Sequence, residues 1–123
     1  MSQFDYLGCY KDGNPRDLAA YAFDNVTSMT VDMCIRVCSS KFYKYAGAQY
    51  EAQCFCDNTD NRRYGPGLET ECNGQCAGNK NQICGNSQTP TNSASRNSIY
   101  YNASKKILIW LSLNKFKLIH FVK

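Results

Sequence analysis

The sequence predicts a small α+β domain that is cross-linked by disulfides in an oxidising compartment. Three observations predict this class: a chain of 123 residues, eight cysteines, and one helical segment followed by a hairpin. A chain of this length has room for one core, and 43% hydrophobic residues are ordinary for a globular protein. An even set of closely spaced cysteines replaces part of the hydrophobic burial that a small domain lacks. These cysteines are Cys9, Cys34, Cys38, Cys54, Cys56, Cys72, Cys76 and Cys84.

The helical segment runs from Thr30 to Lys41. Thr30 is a good N-cap residue, and Asp32 suits the positive end of the helix dipole. The following residues place apolar and sulfur-containing side chains at i, i+1, i+4 and i+5, so that they share one face. This face consists of Met33, Cys34, Val37 and Cys38. We therefore expect a helix that buries its cysteine side.

A β-hairpin is predicted from Tyr43 to Asp57. Its side chains alternate between two faces, and the alternation resumes after a turn at Glu51-Ala52. Cys54 and Cys56 then point to the same face.

Polar and glycine-rich stretches separate the other elements. Clusters of Asn, Gly and Asp at residues 12–17, 57–67 and 73–86 predict loops and short elements, and the polar residues 87–98 predict a surface loop. The segment Ser98-Ile-Tyr-Tyr after that loop predicts a closing strand.

The spacing of four cysteines predicts how the helix and the hairpin are joined. Cysteines at i and i+4 on a helix lie about 6 Å apart along its axis, and cysteines at i and i+2 on a strand lie about 6.5 Å apart. Two parallel disulfides can therefore join Cys34 and Cys38 to Cys54 and Cys56. The spacing leaves open which helix cysteine takes which strand cysteine, and it leaves three possible partners for Cys9.

A structural zinc site is the alternative explanation of the cysteine cluster. Such sites use paired C-x2-C knuckles or sets of Cys and His. The gaps here are three, one, three and seven residues, and the single histidine, His120, lies in the C-terminal tail. The sequence therefore favours disulfides and predicts no metal.

The charge distribution excludes a nucleic-acid partner. The net charge is +4, but residues 1–104 hold 9 Lys and Arg against 10 Asp and Glu, whereas residues 105–123 hold 5 Lys and no acidic residue. The domain itself lacks a basic stripe.

The composition also argues against an enzyme. The region before the tail has no histidine to act as a general base. It has no glycine-rich phosphate loop, and so short a chain has little room for the cleft of a glycosidase. We expect a non-catalytic protein with no cofactor.

The two ends of the chain are unusual. Residues 1–10 contain no basic segment followed by an apolar one, so we expect the secretory signal to be absent from this chain, because of a fragment or a misassigned start. The tail at 105–123 is basic and apolar but too interrupted for a transmembrane helix. We interpret it as truncated or translated non-coding sequence; the alternatives are a cationic interfacial segment, an interaction strand or the start of a membrane-proximal region.

An ordered set of motifs from Phe4 to Asn102, about four-fifths of the chain, resembles the WSC domain. This cysteine-rich module occurs in fungal cell-wall stress sensors and in some receptor ectodomains. The motifs are Gly8-Cys-Tyr-Lys-Asp, Arg16 with Leu18, Met29-Thr, Cys34 with Cys38, Tyr45-Ala-Gly, Cys54-Phe-Cys-Asp-Asn, Cys72-Asn-Gly-Gln-Cys, Gly78-Asn, Cys84-Gly and Ser98-Ile-Tyr.

The resemblance implies a PAN/apple-like fold with one main helix on a short antiparallel sheet. It implies the pairings Cys9–Cys72, Cys34–Cys54, Cys38–Cys56 and Cys76–Cys84. It also implies a domain at residues 4–102, followed by the tail of unclear status at residues 103–123. The implied function is binding of cell-wall or extracellular polysaccharide of the β-glucan type, at the cell surface or in secreted form. The alternative is an extracellular module for protein–protein interaction in a receptor or structural surface protein.

The candidate ligand-binding residues are chosen by the chemistry of a sugar ring. An aromatic plane can contact the apolar face of a pyranose ring, and polar side chains beside it can bind the hydroxyls. We predict exposed tyrosines and their polar neighbours as the site, with Arg62-Arg63-Tyr64 as the favoured patch. The remaining candidates are Tyr21 in a predicted loop at 19–25, Tyr43 just past the helix and Tyr50 at the hairpin turn. Asp12 and Arg16 are also candidates, and an internal ion pair is the alternative for them.

Other tyrosines have a structural explanation. Tyr10, Tyr45 and Tyr100 are expected to pack within the domain. Two N-glycosylation sequons, at Asn25 and Asn102, predict exposed asparagines of a glycoprotein, with a polysaccharide, a glycoprotein glycan or another extracellular protein as the partner.

Overall fold

The computed structural model describes residues 4–60, 62–87 and 95–102. Within these residues the chain forms one α-helix, seven strands and one turn of 3-10 helix. In chain order they are β1 (Phe4–Lys11), β2 (Tyr21–Asp24), α1 (Val31–Ser40), β3 (Tyr45–Gln49), β4 (Gln53–Asp57), the 3-10 turn (Glu69–Glu71), β5 (Gln75–Cys76), β6 (Asn79–Ile83) and β7 (Arg96–Asn102).

Five of the strands form one antiparallel sheet in the order β1-β7-β3-β4-β2, and β5 and β6 form a separate hairpin. The closing strand, β7, is longer than the predicted segment Ser98-Ile-Tyr-Tyr and lies between β1 and β3. Ile99 pairs with Gly8 on one side and with Gly47 on the other. The predicted closing strand is therefore confirmed, and its backbone hydrogen bonds connect β1 to the β3–β4 hairpin.

Helix α1 begins and faces the core as the sequence predicts. The Thr30 hydroxyl accepts a hydrogen bond from the Met33 backbone N–H at 3.0 Å, which is the N-cap geometry. Cys34, Ile35 and Cys38 are buried against the sheet. The helix therefore covers one face of the sheet with its cysteine side.

Replacement of Thr30 with alanine is expected to lower the free energy of unfolding by about 1 kcal/mol, because the Met33 N–H loses its acceptor. Urea denaturation of the variant measures the loss. Ser40→Ala at the other end of the helix is the control, because among the described residues the exposed Ser40 hydroxyl donates only to the Val37 carbonyl of its own helix. Equal losses in the two variants would contradict the capping role.

The hairpin of β3 and β4 turns at residues 50–52, as predicted. Tyr50 and Glu51 adopt positive φ angles of 49° and 66°, so the chain reverses within three residues. Ala46 pairs with Cys56 and Ala48 with Cys54, which places these four side chains on the face below the helix.

All eight cysteines form disulfides in the four pairs that the family resemblance implies: Cys9–Cys72, Cys34–Cys54, Cys38–Cys56 and Cys76–Cys84. The two bonds between α1 and β4 have Cα separations of 5.5 and 5.4 Å. They lie side by side, so the sulfur atoms of Cys34, Cys38 and Cys54 are within 4.8 Å of one another. This proximity results from the disulfides, whose sulfur atoms are not thiolate ligands.

The segment at 19–25 differs from its prediction as a loop, because Tyr21–Asp24 forms strand β2 at the edge of the sheet. Tyr21 pairs with Cys56 and Phe23 with Cys54. The edge of β4 supplies the backbone hydrogen-bond partners of β2. A strand of four residues is too short for its alternation of side chains to be recognised reliably in the sequence. Tyr21 and Phe23 consequently pack against the disulfide core.

The predicted surface loop lies mostly outside the described residues, as does the tail at 105–123. Across the parts of the chain that the structure describes, no helix is long and apolar enough to cross a membrane.

Candidate ligand-binding surface

The face of the sheet opposite the helix is covered by two loops, residues 12–18 and 57–67. Gln49 and Asn97 lie under them and are completely buried, and Leu18 is also at 0% exposure. This side of the sheet therefore has a core rich in polar groups. The Gln49 side chain is paired with Asp12 and Arg16, whereas in the described structure the buried Asn97 side-chain amide has no hydrogen-bond partner.

The first loop is held by Asp12. Its carboxylate, with a side chain only 1% exposed, accepts from the Arg16 guanidinium at 3.1 Å and from the Gln49 side-chain amide. It also accepts from the Asp17 backbone N–H at 2.9 Å. The predicted alternative, an internal ion pair between Asp12 and Arg16, is thus observed. Arg16 also stacks 4.7 Å above the Phe55 ring, so its guanidinium is fixed at the surface.

The second loop is held by two further buried carboxylates. The Asp17 carboxylate accepts from the backbone N–H groups of Arg62 and Arg63 at 3.0 and 3.4 Å. Asp60 accepts from the Arg62 guanidinium at 2.9 Å, and this guanidinium lies 5.0 Å from the centre of the Tyr10 ring. The Asp17 and Asp60 side chains are 1% exposed, whereas those of Arg62 and Arg63 are 46% and 38% exposed. The anionic groups are therefore buried, and the cationic groups reach the solvent.

The environment of Asp17 raises the pKa of its carboxyl group above the ordinary value. Burial is the largest cause, and a hydrogen bond with the neighbouring Asp60 carboxyl adds to it. The backbone N–H groups of Arg63 and Arg62 act in the opposite direction. The net effect is that this carboxyl group holds its proton to a higher pH in the folded domain than in the unfolded chain.

Stability is therefore expected to depend on the charge of Asp17. Its contribution to the free energy of unfolding should be fully present below the ordinary Asp pKa of 3.8 and should be lost as pH rises through the higher folded pKa. Asp17→Asn cannot ionise and should remove this part of the pH dependence. Urea denaturation across the acidic range measures the slope, with Asp5→Asn on the exposed part of β1 as the control. Parallel profiles for the wild type and both variants would contradict the expectation.

Tyr64 connects the two loops. Its hydroxyl donates to the Pro15 carbonyl at 2.6 Å, and its ring lies against Gly13. A Cβ atom at Gly13 would come within 2.8 Å of that ring, so the glycine permits the contact. The Tyr64 ring is half-buried in this position.

The structure brings together five of the predicted site residues on this surface and separates the others. Asp12, Arg16, Arg62, Arg63 and Tyr64 lie on or beneath the two loops. Tyr50 lies at the turn of the β3–β4 hairpin, with its hydroxyl 2.9 Å from that of Ser95. Tyr21 and Tyr43 lie on the opposite face and pack against the disulfide core.

The expectation that Tyr21, Tyr43, Tyr50 and Tyr64 are exposed is wrong, because each is half-buried. The disulfide core has few long aliphatic side chains, and aromatic rings complete it. Tyr100 packs against this core as predicted. Tyr6, which the sequence does not single out, is 47% exposed and donates to the Glu69 carboxylate at 2.7 Å.

The two sequons have different surroundings. Asn102 is 3% exposed, and its amide donates to the Ser39 hydroxyl at 3.1 Å. The prediction of an exposed asparagine is wrong there, because β7 places this side chain against the end of the helix. Asn25 is half-buried in a turn, where its side-chain oxygen accepts from the Thr27 and Ser28 backbone N–H groups at 3.2 and 2.9 Å.

An open depression adjoins Arg16 at the edge of the sheet. Its volume is about 300 Å³, and it is lined by Arg16, Ala22, Phe23, Asp24, Gln53 and Phe55. The sequence reasoning missed Asp24 and Gln53, which become neighbours only through the pairing of β2 with β4. The alternation Tyr-Ala-Phe-Asp at 21–24 is the one signal that could have indicated a strand there.

Comparison with known proteins identifies the family. The family model of the WSC domain matches residues 6–86, well over half of the chain. The chain is similar to Kremen protein 1 of Homo sapiens, with 42% identity over 81 residues, which are 64% of this chain and 17% of the relative. It is also similar to a WSC domain-containing protein of Arthroderma benhamiae, with 35% identity over 83 residues, which are 67% of this chain and 9% of that protein.

A third relative is the xylosyltransferase oxt of Drosophila melanogaster, with 38% identity over 80 residues, which are 64% of this chain and 9% of the enzyme. The match thus spans less than a fifth of each of these relatives. It covers the helix, the hairpin and all eight cysteines. From this match and from the four disulfides, we conclude that the chain belongs to the WSC domain family.

Proposed function

We propose that this WSC domain is a non-catalytic extracellular module that binds carbohydrate, either a polysaccharide of the β-glucan type or a glycoprotein glycan. The observation that carries the proposal is the surface formed by Arg16, Arg62, Arg63 and Tyr64, which we term the arginine–tyrosine surface. Its three guanidinium groups are each paired with a buried carboxylate, and the arginine side chains are 38–46% exposed. They are oriented donors on a nearly neutral surface.

Oriented donors suit a neutral, hydroxyl-rich ligand. A guanidinium group that is already held by a carboxylate loses little conformational freedom when it donates a second hydrogen bond. The half-buried Tyr64 ring adds an apolar plane for the C–H face of a sugar. Such a shallow surface is expected to bind in the micromolar to millimolar range, about −4 to −8 kcal/mol.

The arrangement of the acidic residues supports a non-catalytic role. A glycosidase needs two carboxyl groups that face each other across a substrate, about 5 Å apart or more. Asp17 and Asp60 are instead buried under the second loop, where they accept hydrogen bonds from the backbone of Arg62 and Arg63 and from the Arg62 guanidinium. The match to the xylosyltransferase covers only 9% of that enzyme, so its name is no argument for transfer chemistry in this segment.

The four disulfides support the proposed extracellular location. Four disulfides in one small domain form and persist in oxidising compartments. Asn25, in its surface turn, is the proposed glycosylation site of such a secreted or cell-surface protein. We also infer that the domain extends to residue 102, beyond the matched segment, because β7 hydrogen-bonds to both β1 and β3.

The second candidate function is recognition of another extracellular protein. The 42% identity with Kremen protein 1 favours it. Leu68 is 69% exposed, and the neighbouring Glu69 carboxylate accepts from the hydroxyl of Tyr6, which is 47% exposed, so two exposed large side chains lie at that edge.

Retention on insoluble polysaccharides tests the proposal. The oxidised chain is incubated with β-glucan, chitin and xylan, and the bound fraction is measured. Tyr64→Ala is expected to lower retention severalfold, because both the ring and the contact with Pro15 are lost. Tyr64→Phe keeps the ring and serves as the matched variant, and Tyr50→Ala tests the neighbouring turn.

The outcomes separate the function from its site. Absence of retention on all three polymers would refute carbohydrate binding. Unchanged retention in Tyr64→Ala and Tyr50→Ala would remove these tyrosines from the site and leave the function intact. Thermal unfolding of each variant shows whether a lost interaction reflects a lost fold.

A further inference from the structure

We propose that the depression at the edge of the sheet is a subsite for one neutral sugar unit, with Arg16 and Asp24 as its hydroxyl-binding groups. This inference rests on the proposed carbohydrate binding and assigns it a second location, beside the arginine–tyrosine surface. The depression, which we term the β2–β4 subsite, is lined by Arg16, Ala22, Phe23, Asp24, Gln53 and Phe55.

Several polar atoms of this subsite have no hydrogen-bond partner among the described residues. Arg16 donates through Nη1 alone, to Asp12 and Gln49, and among the described residues its Nε and Nη2 atoms have no hydrogen-bond partner. The Asp24 carboxylate is exposed and likewise has no partner within residues 4–60, 62–87 and 95–102. Asp12, Asp17 and Asp60, in contrast, are all committed to arginines or backbone N–H groups. Asp24 is therefore free to accept hydrogen bonds from a ligand.

Gln53 adds a third polar group. Its side-chain oxygen is buried without a hydrogen-bond partner in the described structure. An unpaired buried oxygen is unfavourable, and rotation of the terminal amide would direct either its oxygen or its nitrogen to a ligand. Within the described part of the chain, no hydrogen bond of the Gln53 side chain opposes this rotation.

The shape and chemistry of the subsite indicate the ligand class. A volume of about 300 Å³ is at the lower end for ligand pockets and suits one ring. The Asp24 carboxylate can accept a hydrogen bond from one hydroxyl and the Arg16 guanidinium can donate to the next, as two vicinal hydroxyls of a pyranose require. Ala22 and the Phe55 ring, which Arg16 holds from above, provide the apolar contact.

The sign of the charges selects a neutral sugar. Arg16 is already paired with Asp12, and Asp24 leaves the subsite with an unpaired negative charge. A uronic acid unit would place a second carboxylate beside Asp24 and would be repelled. We therefore expect glucose, xylose or N-acetylglucosamine units to bind here, and an acidic unit to be excluded.

The test is a titration of the isotope-labelled full chain with oligosaccharides. Binding is measured by the changes in the amide chemical shifts of the protein. The probes are soluble oligomers of β-linked glucose, xylose and N-acetylglucosamine, and oligogalacturonate is the acidic comparison. Binding of a neutral oligomer should shift the signals of residues 22–24 and 53–55. Asp24→Ala should weaken binding about tenfold or more, as expected for a lost hydrogen bond to a charged group. Asp5→Ala, a change of an exposed aspartate on β1, should have no effect.

The possible results are distinct. Shifts confined to residues 62–65, with unchanged affinity in Asp24→Ala, would overturn this subsite while the proposed function stands. Binding of oligogalacturonate alone would overturn the assignment of a neutral sugar. Absence of binding by every oligomer, in a folded chain, would refute both the subsite and the proposed function. Because Asp24 has no partner in the described structure, Asp24→Ala should keep the thermal stability of the wild type.

Discussion

Replacement of Cys9 and Cys72 with alanine is expected to lower the free energy of unfolding by about 4 kcal/mol. The two residues are 63 positions apart, and this disulfide closes the longest loop of the four. Its removal frees the unfolded chain more than that of any other disulfide here. Domains are stable by about 5–15 kcal/mol, so this loss should remove between about a quarter and most of the stability.

The matched comparison is replacement of Cys76 and Cys84, which are 8 positions apart. The same entropy argument predicts a loss of about 2.5 kcal/mol for this shorter loop. Urea denaturation of both double variants, under conditions that keep the other disulfides oxidised, measures the two losses. A larger loss for the short loop would show that native contacts, rather than chain entropy, determine the effect.

Gly85→Ala is expected to destabilise the domain by about 4 kcal/mol or more, which is an exceptional effect for one methyl group. A Cβ atom at Gly85 would lie 2.4 Å from the Ala48 carbonyl oxygen and 2.5 Å from that of Arg96. Both are backbone atoms of the central strands and cannot rotate away. The φ angle of 68° adds the cost of left-handed backbone. Expression of the oxidised variant and its thermal unfolding provide the measurement.

Gly65→Ala is the control for the backbone conformation alone. Gly65 has a φ angle of 78°, but nothing lies within 4 Å of its hypothetical Cβ atom. The expected loss is about 1–2 kcal/mol, the cost of left-handed geometry for a residue with a Cβ. If Gly85→Ala were no worse than Gly65→Ala, the close approach of the backbones at Gly85 would have no energetic importance.

The local elements were predictable where several signals in the sequence agreed. Thr30, Asp32 and the cysteine-bearing face together indicate α1, and the alternation around Glu51-Ala52 indicates the hairpin. The cysteines are spaced almost equally along the helix and along the strand, which indicates that two disulfides join these elements. The spacing alone does not determine which helix cysteine pairs with which strand cysteine. The family resemblance supplied the pairings that the structure has.

The candidate site was less predictable, because its properties depend on contacts between distant segments. Arg62-Arg63-Tyr64 was expected as a free surface patch, yet Asp17, 45 positions before Arg62, holds this loop through its backbone. Tyr21 was expected in an exposed loop, and the edge of β4 instead pairs with it. Single-sequence patterns contain no information on such neighbours.

The eight cysteines by themselves determined the class of this protein. Their number indicates a disulfide-rich domain of an oxidising compartment, and their spacing allows two disulfides to link one helix to one strand. The tertiary structure alone decided which polar groups remain free for a ligand. Asp12, Asp17 and Asp60 resemble Asp24 in the sequence, but the first three are buried against arginines or backbone N–H groups and Asp24 is exposed. Burial and pairing are properties of the packed chain, and they separate the aspartates that hold the loops from the one that is free to bind.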